Sequence, residues 1–324
     1  MFGKVSPDDL AAHVFERKGA DLDSVLQGPA YGEDAAAIDV PGGTMVVSSD
    51  PLWFAVDRVG TLGVHVACND VAASGGDPTW MTNVIFLPSD ADASVLDRIT
   101  TQIDEAAESI GVAVVGGHSE YNEQLDRPLL MMTCMGMGDP YVPTGGAEPG
   151  DQLVLTQGAG IEGTAILASD FAGELEAKGV DPALVEEGLG YFDDIGVTDD
   201  AAVLRSYATG MHDPTEGGLI DALLEMATAS GGSAHVDPDA VPIREATAVL
   251  TDAMGVDPFS IFGSGALLAA VPSEDLDAAL QELAGAGIEA AHIGELTAGT
   301  PSTLELGDRT ITEPVRDDMY QLWD

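Results

Sequence analysis

Four aspartates are the residues of this sequence whose type and position best suit chemistry. Asp34, Asp50, Asp70 and Asp213 each lie at the end of an apolar or Gly/Ala-rich segment, beside small residues that let a ligand approach. Carboxylates are preferred ligands of hard divalent cations, so several of them brought together would hold such ions and, through the ions, phosphate groups. The chain has 56 acidic residues, so this prediction depends on placement rather than on residue type.

For Asp70 and Asp213 the sequence also suggests structural roles other than cation binding. Asn69 and Asp70 fall inside a small-residue helical stretch, where both types lower helix propensity and a buried carboxylate needs a partner. We therefore favour a functional role for Asp70, in cation binding or in a tight hydrogen-bond network. Asp213 precedes an apolar helical pattern, and considered alone it is better explained as a cap of that helix, a role that Thr215 would also fill.

Two glycine-rich segments follow apolar strand patterns. Gly116-Gly117 would let the backbone approach a ligand, and His118 is a candidate phosphate donor or acid/base group; the alternative is a turn with a hydrogen-bonded histidine. The run from Gly158 to Gly163 has the spacing G-x-G-x-x-G, but no second strand ending in an acid follows it. We interpret that run as a tight strand-to-helix turn rather than a dinucleotide site.

The composition is strongly acidic. The formal charge is −45, from 11 basic and 56 acidic side chains, with lysine only at positions 4, 18 and 178. Such self-repulsion destabilises a compact state at low salt, and at about 1 M salt the screening length falls to roughly 3 Å. The acids are interleaved with periodic apolar segments, which indicates a folded protein adapted to high salt, with an acidic interaction protein as the alternative. The charge disfavours nucleic acid as a direct partner.

The sequence shows no pattern typical of a membrane span or a signal peptide. The longest apolar stretches, such as Leu129–Met132, fall far short of the roughly 20 residues that cross a bilayer, and residues 1–7 lack an apolar core. We therefore expect a cytoplasmic protein with no membrane partner. Cys68 and Cys134 lie in apolar surroundings, and we expect them to be reduced core residues rather than a disulfide.

Helices and strands alternate along the chain and must position these motifs. In the first half we predict helices at 6–19, 58–73 and 93–110, and strands at 35–39, 44–48, 82–87, 112–115 and 129–137. In the second half we predict strands at 152–156, 266–271 and 291–296, and helices from 163 and at 201–209, 219–230 and 273–286. Six Pro and Gly residues between positions 140 and 150 mark a boundary between domains 1–146 and 147–324, each of them α/β or α+β.

Short motifs spread over nearly the whole chain resemble the superfamily of aminoimidazole ribonucleotide (AIR) synthase, thiamine-monophosphate kinase, selenophosphate synthetase and the hydrogenase maturation factor HypE. Each is weak alone, and their order makes the resemblance specific. They are Gly32-Glu33-Asp34-Ala35-Ala36, Ser49-Asp50, Asn69 to Pro78, Val115-Gly116-Gly117-His118, Pro149 to Thr156, Met211 to Leu219 and Gly263 to Leu268.

The resemblance implies a two-domain PurM-like fold, in which the N-terminal domain forms a β-barrel shared in a homodimer and a C-terminal α/β domain follows. It also implies ATP between the domains, with Mg²⁺ joining the phosphates to aspartates. By matching positions, the expected metal residues are Asp34, Asp50, Asp70 and Asp213, and the expected catalytic residues are Asp70 and His118. The expected nucleotide or phosphate contacts are Lys4, Asn69, Gly116, Gly117 and Thr156.

The sequence departs from the HypE pattern, which it resembles most in style, in two places. HypE ends in a cysteine that carries a carbamoyl group, whereas no cysteine follows Cys134 in these 324 residues, so we do not expect self-dehydration on a tail cysteine. The more common Gly-Gly-Asp-Thr turn reads Gly117-His118-Ser119 here, which removes one potential metal carboxylate.

We therefore expect a Mg²⁺- and ATP-dependent enzyme that phosphorylates a carbonyl, amide or phosphate oxygen of a small-molecule substrate, as a ligase, dehydratase or phosphotransferase. Two functional alternatives are a non-catalytic nucleotide-binding accessory or regulatory dimer, and a kinase of the thiamine-monophosphate kinase type. The kinase is disfavoured because the expected His-x-Phe does not follow Asp50. A third alternative is a salt-adapted fold whose aspartates only hydrate the surface.

Overall fold

The computed structural model describes residues 3–55 and 57–323, which form two mixed α/β domains, each built on one sheet. The strands of the first domain are β1 (Val25–Gln27), β2 (Ala36–Val40), β3 (Gly43–Leu52), β4 (Gly76–Pro88), β5 (Ala113–Asn122) and β6 (Leu129–Gly138). Its helices are α1 (Pro7–Leu10), which continues as a π-helical segment (Ala11–Phe15), α2 (Val59–Ala73) and α3 (Ala93–Ser109).

The first sheet has the strand order β1-β2-β3-β6-β4-β5, with β4 and β5 parallel and the other neighbours antiparallel. Every second residue of the central strand β6 is buried, the pattern of a strand with one face on a core. Helix α2 packs between this sheet and α3, and its small residues permit the close packing. A Cβ on Gly60, for example, would lie 2.6 Å from the carbonyl oxygen of Ile99 in α3.

Strand β5 differs from its prediction. We expected a strand at 112–115 that ends in Gly116-Gly117, but the strand continues to Asn122, so the predicted end of the strand is wrong. Gly117 lies opposite Asn83 of β4, and a Cβ there would lie 2.1 Å from the Asn83 carbonyl oxygen, whereas Gly116 has open space around it. Glycine at position 117 therefore serves strand pairing in this chain rather than a turn.

The second domain carries a seven-stranded sheet of order β13-β12-β9-β11-β7-β10-β8. Its strands are β7 (Gln152–Thr156), β8 (Gly210–His212), β9 (Ser233–Val236), β10 (Leu268–Val271), β11 (Ala290–Thr297), β12 (Thr303–Leu306) and β13 (Arg309–Ile311). Its helices are α4 (Ile161–Asp170), α5 (Ala172–Ala177), α6 (Pro182–Gly190), α7 (Thr198–Leu204), α8 (Gly218–Ala229), α9 (Glu245–Met254) and α10 (Leu276–Ala286). The Gly158–Gly163 run is a tight turn between β7 and α4, as predicted, with Gly160 in the left-handed region at φ +71°.

Polar and aromatic contacts join the two domains. The Asn69 side chain of α2 donates to the carbonyl oxygen of Ile195 and accepts from the Val197 N–H, both at 2.9 Å. Near the surface, the ring of Trp323 stacks on that of Phe54, with centroids 5.3 Å apart and planes at 26°. These contacts bring the C-terminal end of α2 and the second domain into one packed region.

Cys68 and Cys134 are fully buried, with their sulfurs 3.6 Å apart and not joined in a disulfide, which confirms that they are core residues. None of the helices in the described part of the chain combines the length and apolar character needed to cross a membrane.

Candidate metal centre

Asp34 is positioned by a loop that packs tightly against the second domain. Gly32 adopts φ +80°, and a Cβ there would lie 2.8 Å from the carbonyl oxygen of Glu225 in α8, so only glycine lets the loop approach this closely. The Glu33 carboxylate accepts hydrogen bonds from the backbone N–H groups of Thr144 (3.2 Å) and Gly145 (3.0 Å). The loop thereby holds Asp34 at the junction of the two domains.

Asp50 and Asp70 are joined by one hydroxyl group. Asp50 lies near the end of β3 and Asp70 in the last turn of α2, and the Ser48 Oγ contacts Oδ2 of both carboxyl groups, at 3.0 Å for Asp50. Asp70 is 6% exposed. The Ser48 hydroxyl has one proton to donate, so it can satisfy only one of the two carboxylates if both are ionised. A further proton or a bound cation is therefore needed to offset the repulsion between Asp50 and Asp70.

Asp213 follows β8 and does not cap α8. The N-cap of α8 is Gly217, whose N–H donates to the carboxylate of Asp317 at 2.9 Å. Asp213 is fully buried, and neither of its carboxylate oxygens has a hydrogen-bond partner among residues 3–55 and 57–323. The capping alternative for Asp213 is therefore wrong, and a buried carboxylate without a donor points to a missing ligand.

The structure brings three of the four predicted metal residues into one cluster. Asp34, Asp70 and Asp213 each offer one carboxylate oxygen, and these three atoms lie within 4.8 Å of one another. Asp50 lies outside this set and adjoins it through Ser48. The cluster is assembled from both domains, because Asp34 and Asp70 come from the first and Asp213 from the second.

Burial and mutual repulsion disfavour ionisation of the cluster. Burial, followed by the neighbouring charges of Asp50 and Asp213, holds the pKa of Asp70 well above its usual range. Burial, followed by the charge of Asp34, raises the pKa of Asp213 to about 8. Only bound protons or a bound cation relieve such crowding of like charges.

A buried histidine stands next to the cluster. His212 Nδ1 lies 2.5 Å from Asp34 Oδ2, and its Nε2 lies 2.9 Å from Glu225 Oε2. Burial opposes a charge on the ring, but the two carboxylates outweigh it and hold the pKa of His212 well above its usual value. Carboxyl groups at both ring nitrogens favour the doubly protonated form of the ring.

Glu225 lies between His212 and Lys4 and contacts both side chains. Burial alone would raise the pKa of Glu225, but Lys4 and His212 outweigh it and lower the pKa to about 2. The Lys4 ammonium lies 3.3 Å from Glu225 Oε1, and its side chain is 44% exposed. Solvent and salt screen the half-exposed Lys4 ammonium more than the buried His212 ring, so the contact with His212 is the less sensitive of the two to salt.

The other predicted site residues lie elsewhere or are engaged in the fold. Thr156 is fully buried and its hydroxyl accepts the Leu267 N–H at 3.0 Å, while both polar atoms of the Asn69 side chain bond to the backbone of the second domain. Lys4 joins the cluster only through Glu225. The remaining predicted contacts, Gly116, Gly117 and His118, lie on the exposed strand β5.

His118 is distant from the aspartates within one chain. The pairing of β5, β4, β6 and β3 places His118 in line with Pro51, three strand spacings away, which is about 14 Å at roughly 4.8 Å per strand. Its Nε2 lies 3.0 Å from the carboxylate of Glu120 on the same strand. The structure of the single chain therefore does not bring together the two predicted catalytic residues, Asp70 and His118.

Sequence reasoning missed three residues of this site, namely Ser48, His212 and Glu225. His212 directly precedes Asp213, and Glu225 is an acid within the apolar pattern of α8, where it is 8% exposed. An acid inside an otherwise buried helix pattern is a signal that the sequence does contain. Ser48 offers no such signal, because its two partners meet it only in the folded chain.

Comparison with known proteins gives the family. Residues 32–138 match the N-terminal domain of AIR synthase related proteins, and residues 148–307 match the C-terminal domain. Carbamoyl dehydratase HypE of Cupriavidus necator is 31% identical over 280 residues, which cover 82% of this chain and 77% of that protein.

Solved structures share the fold. The structure of hydrogenase maturation protein HypE in complex with ATP matches with a TM-score of 0.70 and 25% identity, over 98% of this chain and 97% of that one. AaThiL complexed with AMPPCP and TMP matches with a TM-score of 0.76 and 19% identity, over 94% of each chain. With its two-domain PurM-like fold, the chain therefore belongs to the AIR synthase related protein family.

Proposed function

We propose that this protein is a Mg²⁺- and ATP-dependent enzyme that activates a carbonyl, amide or phosphate oxygen of a small substrate by phosphorylation. The observation that carries the proposal is the cluster of Asp34, Asp70 and Asp213, with one oxygen from each within 4.8 Å. An all-carboxylate set suits a hard cation such as Mg²⁺ and does not suit a soft transition metal.

The residues present fit a cation independently of any relative. Asp213 is buried, and its two carboxylate oxygens have no hydrogen-bond partner in the described part of the chain. Burial and like charges raise the pKa values of Asp70 and Asp213. Asp34, Asp70 and Asp213 would hold the ion, with Asp50 beside them. Bound there, Mg²⁺ would neutralise phosphate charge during phosphoryl transfer.

The protein's own groups contribute position and charge. The cluster lies between the two domains, so a phosphate chain placed against it contacts both. The family member HypE has been solved with ATP, and AaThiL with the ATP analogue AMPPCP, which supports a nucleotide as the phosphate source here. The chemistry that remains for the chain is to align the phosphate with a substrate oxygen and to exclude water.

ATP binding and hydrolysis in molar KCl test the proposal. The wild-type protein, Asp70→Asn and a control, Asp90→Asn, in the exposed turn before α3, are compared by calorimetry and by phosphate release. We expect wild type and control to bind ATP with Mg²⁺, and Asp70→Asn to lose the Mg²⁺-dependent part of that binding and the turnover. Absence of nucleotide binding by the wild type at every salt concentration would refute the proposal.

One observation favours a second candidate, a nucleotide-binding accessory protein without turnover. His118, the predicted acid/base residue, lies on an exposed strand and is paired with Glu120 instead of facing the aspartates. Saturable ATP binding without phosphate release or phosphorylated product, across a panel that includes thiamine monophosphate, would favour this candidate over the enzyme.

We further propose that two copies of the chain associate through β5. This edge strand is exposed along nearly its whole length and carries Val114, Val115 and Tyr121 at 43%, 57% and 54% exposure. An exposed apolar edge is a template for pairing with another chain, and the expected shared β-barrel would cover it. Light scattering should show a dimer for the wild type and a monomer for Val115→Lys. The control Leu189→Lys, on the exposed face of α6, should remain a dimer; a monomeric wild type would refute this assignment.

A further inference from the structure

A row of four ionisable side chains connects the cation cluster to the N-terminal segment. The order is Asp34, His212, Glu225 and Lys4, with contacts of 2.5, 2.9 and 3.3 Å. The side chain of His212 is 3% exposed and that of Glu225 is 10% exposed, so the middle of the row is shielded from solvent. Such a buried row is costly unless every member has a partner, and here each one does.

The row restricts the orientation of the Asp34 carboxylate. His212 Nδ1 is hydrogen-bonded to Oδ2 of Asp34, and the ring cannot rotate away because Glu225 holds its Nε2. Glu225 lies on α8, the helix that follows Asp213 by one short turn. Helix α8 therefore fixes the histidine through Glu225, and the histidine fixes the orientation of the Asp34 carboxyl group in the cluster.

We propose that His212 and Glu225 are positioning residues that make the cluster selective for Mg²⁺ over Ca²⁺. The proposal rests on the proposed function, since it requires a cation at the cluster. Mg²⁺ demands near-ideal octahedral geometry at about 2.0–2.1 Å, whereas Ca²⁺ accepts flexible geometry at about 2.3–2.6 Å. A carboxylate held in one orientation favours the smaller and stricter ion.

Charge and orientation have separable effects on cation binding. The imidazolium repels every divalent cation, and that repulsion is the same for Mg²⁺ and Ca²⁺ because both carry two charges. A loss of orientation weakens Mg²⁺ binding more than Ca²⁺ binding. The ratio of the two affinities therefore reports positioning, whereas a shift common to both ions reports charge alone.

The test measures Mg²⁺ and Ca²⁺ affinities by calorimetry in molar KCl without nucleotide. His212→Asn is compared with wild type and with a control, His235→Asn, on the exposed side of β9. Removal of a residue that orients a metal ligand typically weakens metal binding about 10- to 100-fold. Because Ca²⁺ binding weakens less than Mg²⁺ binding, we expect the Mg²⁺/Ca²⁺ affinity ratio to fall by at most that factor in His212→Asn and to stay unchanged in the control. An unchanged ratio in His212→Asn would overturn the positioning role.

A double-mutant cycle tests whether His212 acts through Asp34. We expect the effect of His212→Asn on the ratio to disappear in an Asp34→Asn background, because the group that it positions is then altered. Persistence of the full effect in that background would show that His212 acts by another route and would overturn the proposal.

A second variant covers the case in which His212→Asn does not fold. Glu225→Gln keeps an acceptor for His212 Nε2 and removes one charge, so the Mg²⁺/Ca²⁺ affinity ratio should fall by a smaller factor. An unchanged ratio in Glu225→Gln counts against the proposal.

Two outcomes keep the inference distinct from the proposed function. A wild type that binds neither ion would remove the metal centre and this inference together. A wild type that binds Mg²⁺, with variants of unchanged ratio, would leave the proposed function standing and overturn only the positioning role.

Discussion

Replacing Asp213 with asparagine is expected to stabilise the metal-free protein. Folding raises the pKa of this buried carboxyl from 3.8 to about 8. At pH 7 the unfolded chain ionises this carboxyl, whereas the folded chain keeps it protonated. At about 1.4 kcal/mol per pKa unit, this difference lowers the free energy of unfolding by on the order of 4 kcal/mol. Asparagine is uncharged and presents an NH₂ donor to the neighbouring carboxylates Asp34 and Asp70, so it avoids most of that cost.

The sign of the effect depends on pH. A carboxyl whose pKa is higher in the fold than in the unfolded chain contributes stability at low pH, and that stability is lost as the pH rises through the folded value. The wild type should therefore lose stability relative to Asp213→Asn between about pH 4 and pH 8, with a difference near zero at pH 4.

The assay is thermal unfolding in molar KCl with EDTA, followed by circular dichroism at several pH values. For a chain of this length the unfolding entropy gives about 1.5 °C per kcal/mol, so the midpoint of Asp213→Asn should lie up to about 6 °C above that of the wild type at pH 7. The matched control is Asp151→Asn, at a buried aspartate that accepts hydrogen bonds from the Glu148 N–H (2.8 Å) and the Thr209 hydroxyl (2.5 Å). This control should lose about 1–3 kcal/mol.

The result that would refute the reasoning is a lower midpoint for Asp213→Asn at pH 7, as for the control. That outcome would mean that Asp213 is stabilised in the fold by donors. With Mg²⁺ at about 100 times its dissociation constant, the wild type should gain about 2.7 kcal/mol and Asp213→Asn almost nothing. The Mg²⁺ affinity of the wild type should rise from pH 6 to pH 8, because the cation displaces the proton of a group whose pKa is about 8.

Two further predictions concern strand pairing and the contact between the domains. Gly117→Ala should destabilise the protein by about 1–3 kcal/mol, since its Cβ would lie 2.1 Å from the Asn83 carbonyl oxygen. The control Gly116→Ala, at a position with open space, should be nearly neutral. Equal losses of unfolding free energy for the two variants in chemical denaturation would contradict this account. Asn69→Ala should cost about 2–4 kcal/mol, because it leaves two backbone groups of segment 195–197 unpaired, yet Mn²⁺ affinity measured by electron paramagnetic resonance should stay within about twofold of wild type. A large loss of Mn²⁺ binding in Asn69→Ala would assign that residue to the cation site instead.

Local patterns were sufficient to predict most long elements and three members of the cluster. Helix α2 was predictable because apolar and small residues dominate Val59 to Ala73, and the aspartates stood out because small residues flank them. Short strands such as β1 and β13, of three residues each, carry too little periodicity to be recognised.

What escaped prediction depends on contacts between distant parts of the chain. His212 became visible as a site residue only when Asp34, 178 positions away, and Glu225, 13 positions away, met its two ring nitrogens. The Gly116-Gly117 pair indicates a turn when only its neighbours are considered, and its pairing with β4 depends on a strand some thirty residues earlier. Residue type and spacing show what a segment is able to do, but not which partner it meets.

The stacking of Trp323 on Phe54 gives the protein a built-in optical probe. Phe54 belongs to the first domain and Trp323 to the second, and their ring centroids are 5.3 Å apart. Indole fluorescence responds to the polarity around the ring, so separation of the two domains would shift the emission of Trp323 to longer wavelength without any attached dye. With Trp53 and Trp80 replaced by phenylalanine, the emission of one native residue would follow domain opening in real time as cations, nucleotide or salt are varied.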